Sequence, residues 1–468
     1  EYPVRVATTE HDLPVGRAAA CLLDRKGVLR NVRGEWLALV FAAMFCACQP
    51  LNATPYYVSQ AGDNSAGTSW ATAKTTITGG MALATVAGDE VIISNGTYAL
   101  TTTITNPAGK PPITIRGFTG NAADVIVDGN RAVRCFHISS SCTIRDLTVT
   151  RGTNSDATGG AAFYIPAGTG TTFRNCRFID NNSGVYGGVG RVNTPLVMES
   201  CLVASNNSAN NGGCFYFNAA TTGIFTQCTS TWNNARVNNG GVIFSVGGTE
   251  VIVQSCLFAS NTADGVGGAM YLQGTASVQS CVFLTNNATG SGGAINMVAG
   301  TMTGCGFTNN VSGSQGGAVY IAAGTMRDCA VVSNTSLASG GGGIYMGLGL
   351  VSNCTIIGNV SIGTSGGGIM YPNTAGFRTI MDSVISGNSA AVGNGGGLNT
   401  TATLAATLTV TRCTVAGNFA QLGGGIYSGQ PVVMKDCLIA SNTATSYGGG
   451  MNLAAVSDST LVESCVII

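Results

Sequence analysis

The sequence predicts an all-β protein, a parallel β-helix with coils of about 24–30 residues and a short N-terminal cap. Residues 281–320 contain one sequence pattern, the repeat phrase, twice. It consists of a cysteine, an aromatic residue two positions later, an asparagine three positions after that, and then a Gly-Gly pair. The phrase recurs along most of the chain, and a repeat of this length buries its apolar face only against neighbouring copies. Each unit holds short strand-like runs separated by asparagine and glycine, without a helical period.

A cysteine position sets the register of the repeat. Cysteine occupies it at 176, 201, 228, 256, 281, 305, 329, 354, 413, 437 and 465, and Ser383 fills the remaining unit. In every unit that continues, an asparagine follows five residues later, which makes the asparagine turn the more constant feature of the coil. The structural residues predicted for the central units are Cys281, Cys305, Asn261, Asn286, Asn310, Gly292 and Gly293.

Stacked coils lie about 4.8 Å apart, so equivalent residues form columns. The asparagine is expected to tolerate a left-handed backbone and to bond to its copy in the next coil, and Gly-Gly supplies an unobstructed bend. Stacked cysteines would place their Cβ atoms farther apart than the roughly 3.8 Å of a disulfide, which predicts free, buried thiols. One thiol per coil cannot easily build a tetrahedral site, so no metal is predicted. Asp382, Arg412 and Asp436 are predicted to pair across coils at the surface.

Residues 1–53 form an upstream segment and a predicted secretory signal. Basic residues precede an uncharged apolar run at 36–48, which is too short for a membrane span, and residues 51–53 offer a cleavage site. Two alternatives stay open: a buried helix in a globular domain, and lipidation at Cys48.

Residues 54–135 are predicted to form the cap and first coils, with strands at 57–59, 90–93, 113–115 and 125–127 and a short helix at 76–86. The segments YYVS, GTSWATA and AGDEVIISNGTY resemble the opening of pectin-lyase-like right-handed β-helices. The resemblance implies a right-handed helix whose first coil is covered by a helical cap. Residues 136–468 are assigned to the parallel β-helix repeats.

The repeat phrase resembles the GGAI and FxxN repeats of chlamydial polymorphic outer-membrane proteins. GGAI lies at 292–295, and FxxN lies at 178–181, 258–261, 283–286 and 307–310. The resemblance implies an autotransporter passenger displayed as an adhesin. Because residues 466–468 end inside a strand without a cap, we expect the natural protein to continue, with any membrane anchor or barrel in the missing C-terminal region.

The first functional hypothesis is a secreted or cell-surface protein at the outer membrane, a non-catalytic adhesin-like passenger or structural stalk. The net charge is zero, which gives no electrostatic basis for nucleic-acid binding, and two histidines nearly exclude histidine-based zinc or nucleophile chemistry. An aromatic column after Gly-Gly could bind an extracellular glycan or a host surface; alternatively, the rings only stack on each other. The column is predicted at Phe163, Tyr216, Phe244, Tyr271, Tyr320, Tyr345 and Tyr427.

The second hypothesis is a polysaccharide lyase or glycoside hydrolase of the pectate-lyase type, or a glycan-binding relative. Such enzymes need carboxylates, often with Ca²⁺, and a basic residue that abstracts a proton. Charge is densest at 116–151, where Asp128, Arg131, Asp146 and Arg151 are the catalytic candidates. The alternative is ordinary solvated charge on the first coils. No lyase motif is complete, so the sequence favours a protein without catalysis and without a cofactor, with Ca²⁺ expected only for a lyase.

Overall fold

The computed structural model describes residues 53–468 except 167–169, 373, 375, 402–406 and 455–459. The predicted secretory signal, its apolar run at 36–48, residues 51–52 of the cleavage site and Cys48 therefore lie outside the described residues. Within the described part of the chain, no helix has the length and apolar character needed to cross a membrane.

The N-terminal cap contains one helix among the described residues, Ile77–Leu83. Thr76 caps it, and its side-chain oxygen accepts a hydrogen bond from the Gly79 amide at 3.1 Å. The helix buries Ile77 and Met81 against the first coil, as expected for a cap. It ends three residues before the predicted boundary at 86, and the predicted strand at 90–93 is confirmed as Glu90–Ile93.

The described coils stack as three parallel sheets, and the predicted parallel β-helix is confirmed. Sheet A has 26 described strands and carries two strand positions per coil, one after the Gly-Gly turn and one before the cysteine position; in four coils the two merge. The strands of sheet A are Pro55–Val58, Glu90–Ile93, Ile104–Asn106, Ile113–Gly117, Phe136–Ile138, Cys142–Arg145, Phe163–Ile165, Thr171–Arg174, Gly190–Val192, Leu196–Glu199, Phe215–Phe217, Thr222–Thr226, Ile243–Ser245, Glu250–Gln254, Met270–Gln279, Ile295–Thr303, Val319–Arg327, Ile344–Ser352, Ile369–Tyr371, Arg378–Met381, Leu398–Thr400, Leu408–Thr411, Ile426–Ser428, Val432–Lys435, Met451–Leu453 and Leu461–Glu463.

Sheets B and C complete each coil on either side of the asparagine. The strands of sheet B, which follow the cysteine position, are Gly96–Ala99, Val125–Asp128, Thr148–Thr150, Arg177–Ile179, Leu202–Ala204, Thr229–Thr231, Leu257–Ala259, Val282–Leu284, Gly306–Thr308, Ala330–Val332, Thr355–Ile357, Val384–Ser386, Thr414–Ala416, Leu438–Ala440 and Val466–Ile467. The strands of sheet C, which follow the asparagine, are Thr153–Asn154, Asn182–Ser183, Asn207–Ser208, Asn234–Ala235, Thr262–Ala263, Asn287–Ala288, Val311–Ser312, Thr335–Ser336, Val360–Ser361, Ser389–Asn394, Phe419–Leu422 and Thr443–Tyr447.

The turns between sheets use a left-handed backbone at fixed positions. In the central unit these are Ser280 before the cysteine (φ 51°), Thr285 before the asparagine (φ 52°) and Gly292, the first glycine of the pair (φ 71°). None of the repeat asparagines has a positive φ in the described chain, so the prediction of a left-handed asparagine is wrong by one residue. A Cβ on Gly293 would lie 2.0 Å from a carbonyl oxygen of the next coil, which explains the second glycine.

The asparagines form a continuous hydrogen-bonded ladder, as predicted. Asn286 Nδ2 donates to Asn310 Oδ1 in the next coil and to the Phe258 carbonyl in the preceding one, both at 3.0 Å. The amide of Asn286 also donates to Asn310 Oδ1, at 2.9 Å. Both donors and both lone pairs of each inner side chain are therefore satisfied, which permits complete burial of this polar column.

The interior is apolar and includes the cysteine column. The fourteen described cysteines are free, and all except Cys465 are buried. The sequence predicts that the residues three before and two after the cysteine face inward. The unit of Cys305 confirms this, because Met302 and Phe307 have no exposed surface. Hydrogen bonding to the thiol one coil earlier, together with burial, raises the pKa of Cys281 to about 12. The Cys281 thiol is therefore protonated at neutral pH and behaves as a small core residue.

Candidate functional site

The outward aromatic column lies on the first strands of sheet A and is called the ring column below. Strand pairing aligns Tyr164, Arg191, Tyr216, Phe244, Tyr271, Asn296, Tyr320 and Tyr345, followed by Met370, Asn399 and Tyr427. The prediction that Phe163 belongs to this column is wrong by one residue. It is fully buried and faces the interior, stacked on Phe173 with ring centroids 4.6 Å apart, while its neighbour Tyr164 faces outward.

The rings of this column stack face to face along the helix axis. Centroids are 5.1 Å apart for Tyr216 with Phe244 and for Tyr320 with Tyr345, with interplanar angles of 12° and 10°. Tyr216 is only 9% exposed and Phe244 only 5%. Burial also raises the pKa of Tyr216 and of Tyr345. The face of Tyr216 that would stack on a sugar is therefore covered by other rings, and this part of the column stabilises sheet A.

The structure divides the four charged candidates between two corners of the coil. Asp128 is 2% exposed and forms an ion pair with Arg151, whose Nε lies 3.0 Å from Oδ1. Burial acts to raise the pKa of Asp128, but the hydrogen bonds from Arg151 and the Asn130 amide, together with the charges of Arg151 and Arg131, outweigh it and lower the pKa. Arg131 pairs with Asp180 at 2.5 Å. Asp128, Arg131 and Arg151 thus lie together, each with an ion-pair partner.

Asp146 lies at the opposite end of the strand Thr148–Thr150 from these three residues. Its Oδ2 accepts a hydrogen bond from Arg145 at 2.7 Å, and its Oδ1 accepts one from Asn175 at 2.8 Å. Arg145 also lies 3.7 Å from Glu90, which pairs with Arg116 at 3.1 Å. The predicted four-residue groove is therefore absent from the described coils, and Asp146 belongs to a different cluster.

That cluster is the charged part of a surface called the N-terminal face, on the second strands of sheet A. Pairing aligns Arg116, Arg145, Arg174 and Glu199 in four successive coils, and Tyr57 and Ile92 precede them in the same column. Arg174 Nε lies 2.8 Å from Glu199. The N-terminal face consists of Tyr57, Trp70, Glu90, Arg116, Phe118, Arg145, Asp146, Arg174 and Glu199.

Three aromatic side chains pack together at the start of the arginine column. Trp70 packs edge-on against Tyr57 and against Phe118, with centroid distances of 4.6 and 5.0 Å. Phe118 follows Arg116 by two residues on the outward side and is 53% exposed. An exposed ring beside planar guanidinium groups offers both an apolar contact and directed hydrogen-bond donors.

The charges of the N-terminal face balance, because three arginines meet three carboxylates. The face therefore offers hydrogen-bonding groups without a strong field of either sign. No group of three or more His, Cys, Asp or Glu side chains that could hold a metal ion occurs in the described chain. The arrangement is suited to binding a polar ligand.

A separate cleft of about 300 Å³ lies beside the cap helix. Its walls carry the hydroxyl groups of threonines at 75, 76, 78, 101–103 and 105, together with Gln60 and Tyr98. Tyr98 is held by a 2.9 Å hydrogen bond with Ser94, and burial raises its pKa. The lining contains no charged side chain, so the cleft can donate and accept hydrogen bonds without attracting ions.

Sequence reasoning did not identify the N-terminal face, although a signal for it exists. Thr-Ile-Arg occurs at 114–116 and again at 143–145, and the related Thr-Phe-Arg occurs at 172–174. These segments precede the first cysteine of the regular repeat, so the cysteine register did not align them. Because side chains alternate along a strand, these three segments indicate an outward arginine at the same position in three successive coils.

No family model matches the chain, and no curated protein matches it. Among solved structures, it resembles bacteriophage CBA120 tailspike protein 3, with a TM-score of 0.43, 13% identity, and coverage of 80% of this chain and 56% of the tailspike. The complex of XylC with xylose gives 0.39, 7% identity and coverage of 88% and 86%. A mannuronic-acid-specific family 6 polysaccharide lyase from human gut microbiota has a TM-score of 0.34 and 12% identity. The match covers 80% of this chain and 86% of the lyase. These low scores carry no functional argument, and the resemblance to chlamydial repeats stays a prediction.

Proposed function

We propose that this chain is a carbohydrate-binding β-helix and that its N-terminal face binds the glycan. The observation that carries the proposal is the exposed Phe118 ring beside Arg116 and Arg145, with Trp70 packed behind it. Sugar sites combine an aromatic contact for the apolar face of the ring with a few directed polar groups for its hydroxyls. The N-terminal face has both within successive coils.

The balanced charge favours a hydroxyl-rich, neutral glycan over a polyanion. Glu90 and Asp146 neutralise the arginines that would otherwise attract carboxylate or sulfate groups. Guanidinium and carboxylate groups that are already paired still have unused donors and acceptors for sugar hydroxyls. Because the arginines are stacked one coil apart, an extended chain could lie along the helix axis across several of them.

The proposal includes a location outside the cell, as a secreted or surface-displayed adhesin-like protein or stalk. Its support is the predicted secretory signal and a rigid solenoid that would hold the glycan-binding face away from an anchor. A protease added to intact cells tests this part, because it should digest a surface-displayed protein as completely as it does in lysed cells.

Polysaccharide cleavage is the less favoured function. Asp128, Arg131 and Arg151 are held in ion pairs, and Asp146 is 6% exposed and hydrogen-bonded on both oxygens. We expect no unsaturated products from pectate or alginate with or without Ca²⁺. If the wild type formed such products and Asp146→Asn abolished them, the result would favour an enzymatic function over glycan binding.

The binding proposal is tested by a glycan array followed by calorimetry on the strongest neutral oligosaccharide. Phe118→Ala should weaken binding about tenfold or more, because it removes the exposed ring contact. Phe377→Ala is the matched control, since Phe377 is 90% exposed and lies far along the chain from this face. Absence of any glycan ligand, or equal binding by the two variants, would contradict the proposal.

A further inference from the structure

Arg378 occupies a position that points into the core of the β-helix. Strand pairing aligns it with Gly349 in the preceding coil and with Leu408 in the following one. Its relative exposure is 0%, and it is the largest fully buried side chain among the described residues. A guanidinium group therefore lies where neighbouring coils place glycine or leucine.

This buried cation has no carboxylate partner among the described residues. Its donors bond to uncharged oxygens: the Gly347 carbonyl at 3.3 Å, the Pro372 carbonyl at 2.7 Å and both the carbonyl and Oγ1 of Thr374. Burial lowers the pKa of Arg378, in keeping with the cost of a charge removed from water. A buried charge without a counter-charge is strongly unfavourable in a folded protein.

Two further donors beside Arg378 have no partner among the described residues. Arg378 Nη1 donates to Gln430 Oε1 at 2.6 Å, and arginine has only donors, so the amide cannot be flipped. Gln430 Nε2 therefore takes no part in the contact with the guanidinium, and it is buried without an acceptor among the described residues. The Tyr371 hydroxyl is likewise buried and unpartnered, and its ring centroid lies 5.8 Å from the Arg378 carbon Cζ.

The inward column of sheet A becomes polar around Arg378. The inward column that holds Ile321 and Met346 in earlier coils continues as Tyr371, and then as Thr400 and Ser428, whose hydroxyls are 2.9 Å apart. Together with Arg378 and Gln430 these side chains form a buried polar compartment. A compartment with a net positive charge and unused donors requires an acceptor that carries negative charge.

We propose that this compartment binds a small monovalent anion of the halide class, held by Arg378, Gln430 Nε2 and the Tyr371 hydroxyl. The anion neutralises the guanidinium and accepts from the two unpartnered donors. Its class follows from charge and burial: one guanidinium balances one negative charge, and side chains that are at most 1% exposed favour a small ion over a large oxyanion. The bound ion is an internal part of the fold, independent of the glycan-binding face.

The test measures thermal unfolding in sodium chloride and in sodium gluconate at one ionic strength, because gluconate is too large for the compartment. The wild-type Tm should rise saturably with chloride by about 2 °C or more, since a ligand that binds only the folded state stabilises it. Arg378→Leu, which restores the residue type of the next coil, should lose the chloride dependence. Arg412→Leu is the control, because Arg412 is an exposed arginine paired with Asp382, and it should keep the dependence.

Tyr371→Phe keeps the ring and removes the hydroxyl, so it tests the site if Arg378→Leu does not fold. It should weaken chloride binding several-fold. Crystals soaked in sodium bromide should show an anomalous peak beside Arg378. Equal Tm values of the wild type in chloride and gluconate, unchanged chloride dependence in Tyr371→Phe, or no bromide peak in this compartment would each overturn the proposal.

Discussion

Replacing Asn286 by alanine removes one rung from the middle of the asparagine ladder. The side chain of Asn286 accepts from the Asn261 amide at 3.1 Å and from Asn261 Nδ2 at 3.0 Å. It donates to Asn310 Oδ1 and to the Phe258 carbonyl, both at 3.0 Å. After the substitution the two donors of Asn261 remain buried without an acceptor, whereas Asn310 Oδ1 keeps the backbone donor of residue 286.

The magnitude follows from those two orphaned donors. A buried polar group that loses its partner costs about 1–3 kcal/mol, so the expected loss in unfolding free energy is about 2–6 kcal/mol. A loss of this size is large relative to most single substitutions, because the ladder is fully buried and has no access to replacement water.

Urea unfolding followed by far-ultraviolet circular dichroism measures the loss. Asn287→Ala is the matched control, since Asn287 is the next residue, begins the following sheet C strand and is exposed. The control should change the unfolding free energy by less than about 0.5 kcal/mol. If the two variants had equal midpoints, the ladder would not contribute what its hydrogen bonds imply.

Three other outcomes follow from the coil geometry. Gly293→Ala should abolish or severely destabilise folding because its Cβ would lie 2.0 Å from a backbone oxygen, whereas Gly306→Ala, with open space around it, should change stability by at most about 1 kcal/mol. Iodoacetamide should label Cys465 in the folded protein and Cys281 only after unfolding, as read by peptide mass spectrometry. Burial acts to raise the pKa of Asp156, but hydrogen bonds outweigh it and hold the pKa at about 2. Its contribution to stability is therefore complete above about pH 4 and lost as the pH falls toward 2, and Asp156→Asn should remove this loss in acid unfolding curves.

The repeat made the coil predictable because one coil constrains the next. Asn286 and Cys281 recur at fixed offsets, and a fixed offset in a solenoid means a column, so the ladder and the buried thiols follow from spacing alone. The left-handed turn residue was assigned one position too late. The residue that adopts it, Thr285 in this unit, varies in type between units, so composition does not reveal it.

The errors at the candidate sites have physical reasons. Phe163 follows Gly159 by four residues, the spacing that predicts an outward ring, but Gly160 is aligned with the first glycine of the next unit and Ala161 takes the second place. A shift of one residue reverses the face of every side chain in a strand. The charged candidates were chosen by density along the chain, yet neighbours in a solenoid are about one coil apart in sequence.

The compartment around Arg378 could not be inferred from the repeat. An arginine at an inward position conflicts with the apolar pattern, and only the register shows that it faces the core. Its partners come from three different coils, at Gly347, Thr374 and Gln430. Such a cluster becomes visible only when the coils are stacked.

The ladder also governs how the molecule can change its length. Every rung presents the same donors upward and the same acceptors downward, so two rungs that are not consecutive in the chain are chemically interchangeable neighbours. Excision of residues 281–304 would bring Asn261 directly onto Asn310, with Ser280 taking the place of Gly304 in the turn that precedes the next cysteine. Recombination can therefore lengthen or shorten the β-helix by whole units, and each unit changes its length by about 4.8 Å. An insertion of any other size preserves the ladder only where it forms a loop, as in the longer coil between Asn388 and Asn418, whose side chains still pair at 3.0 Å.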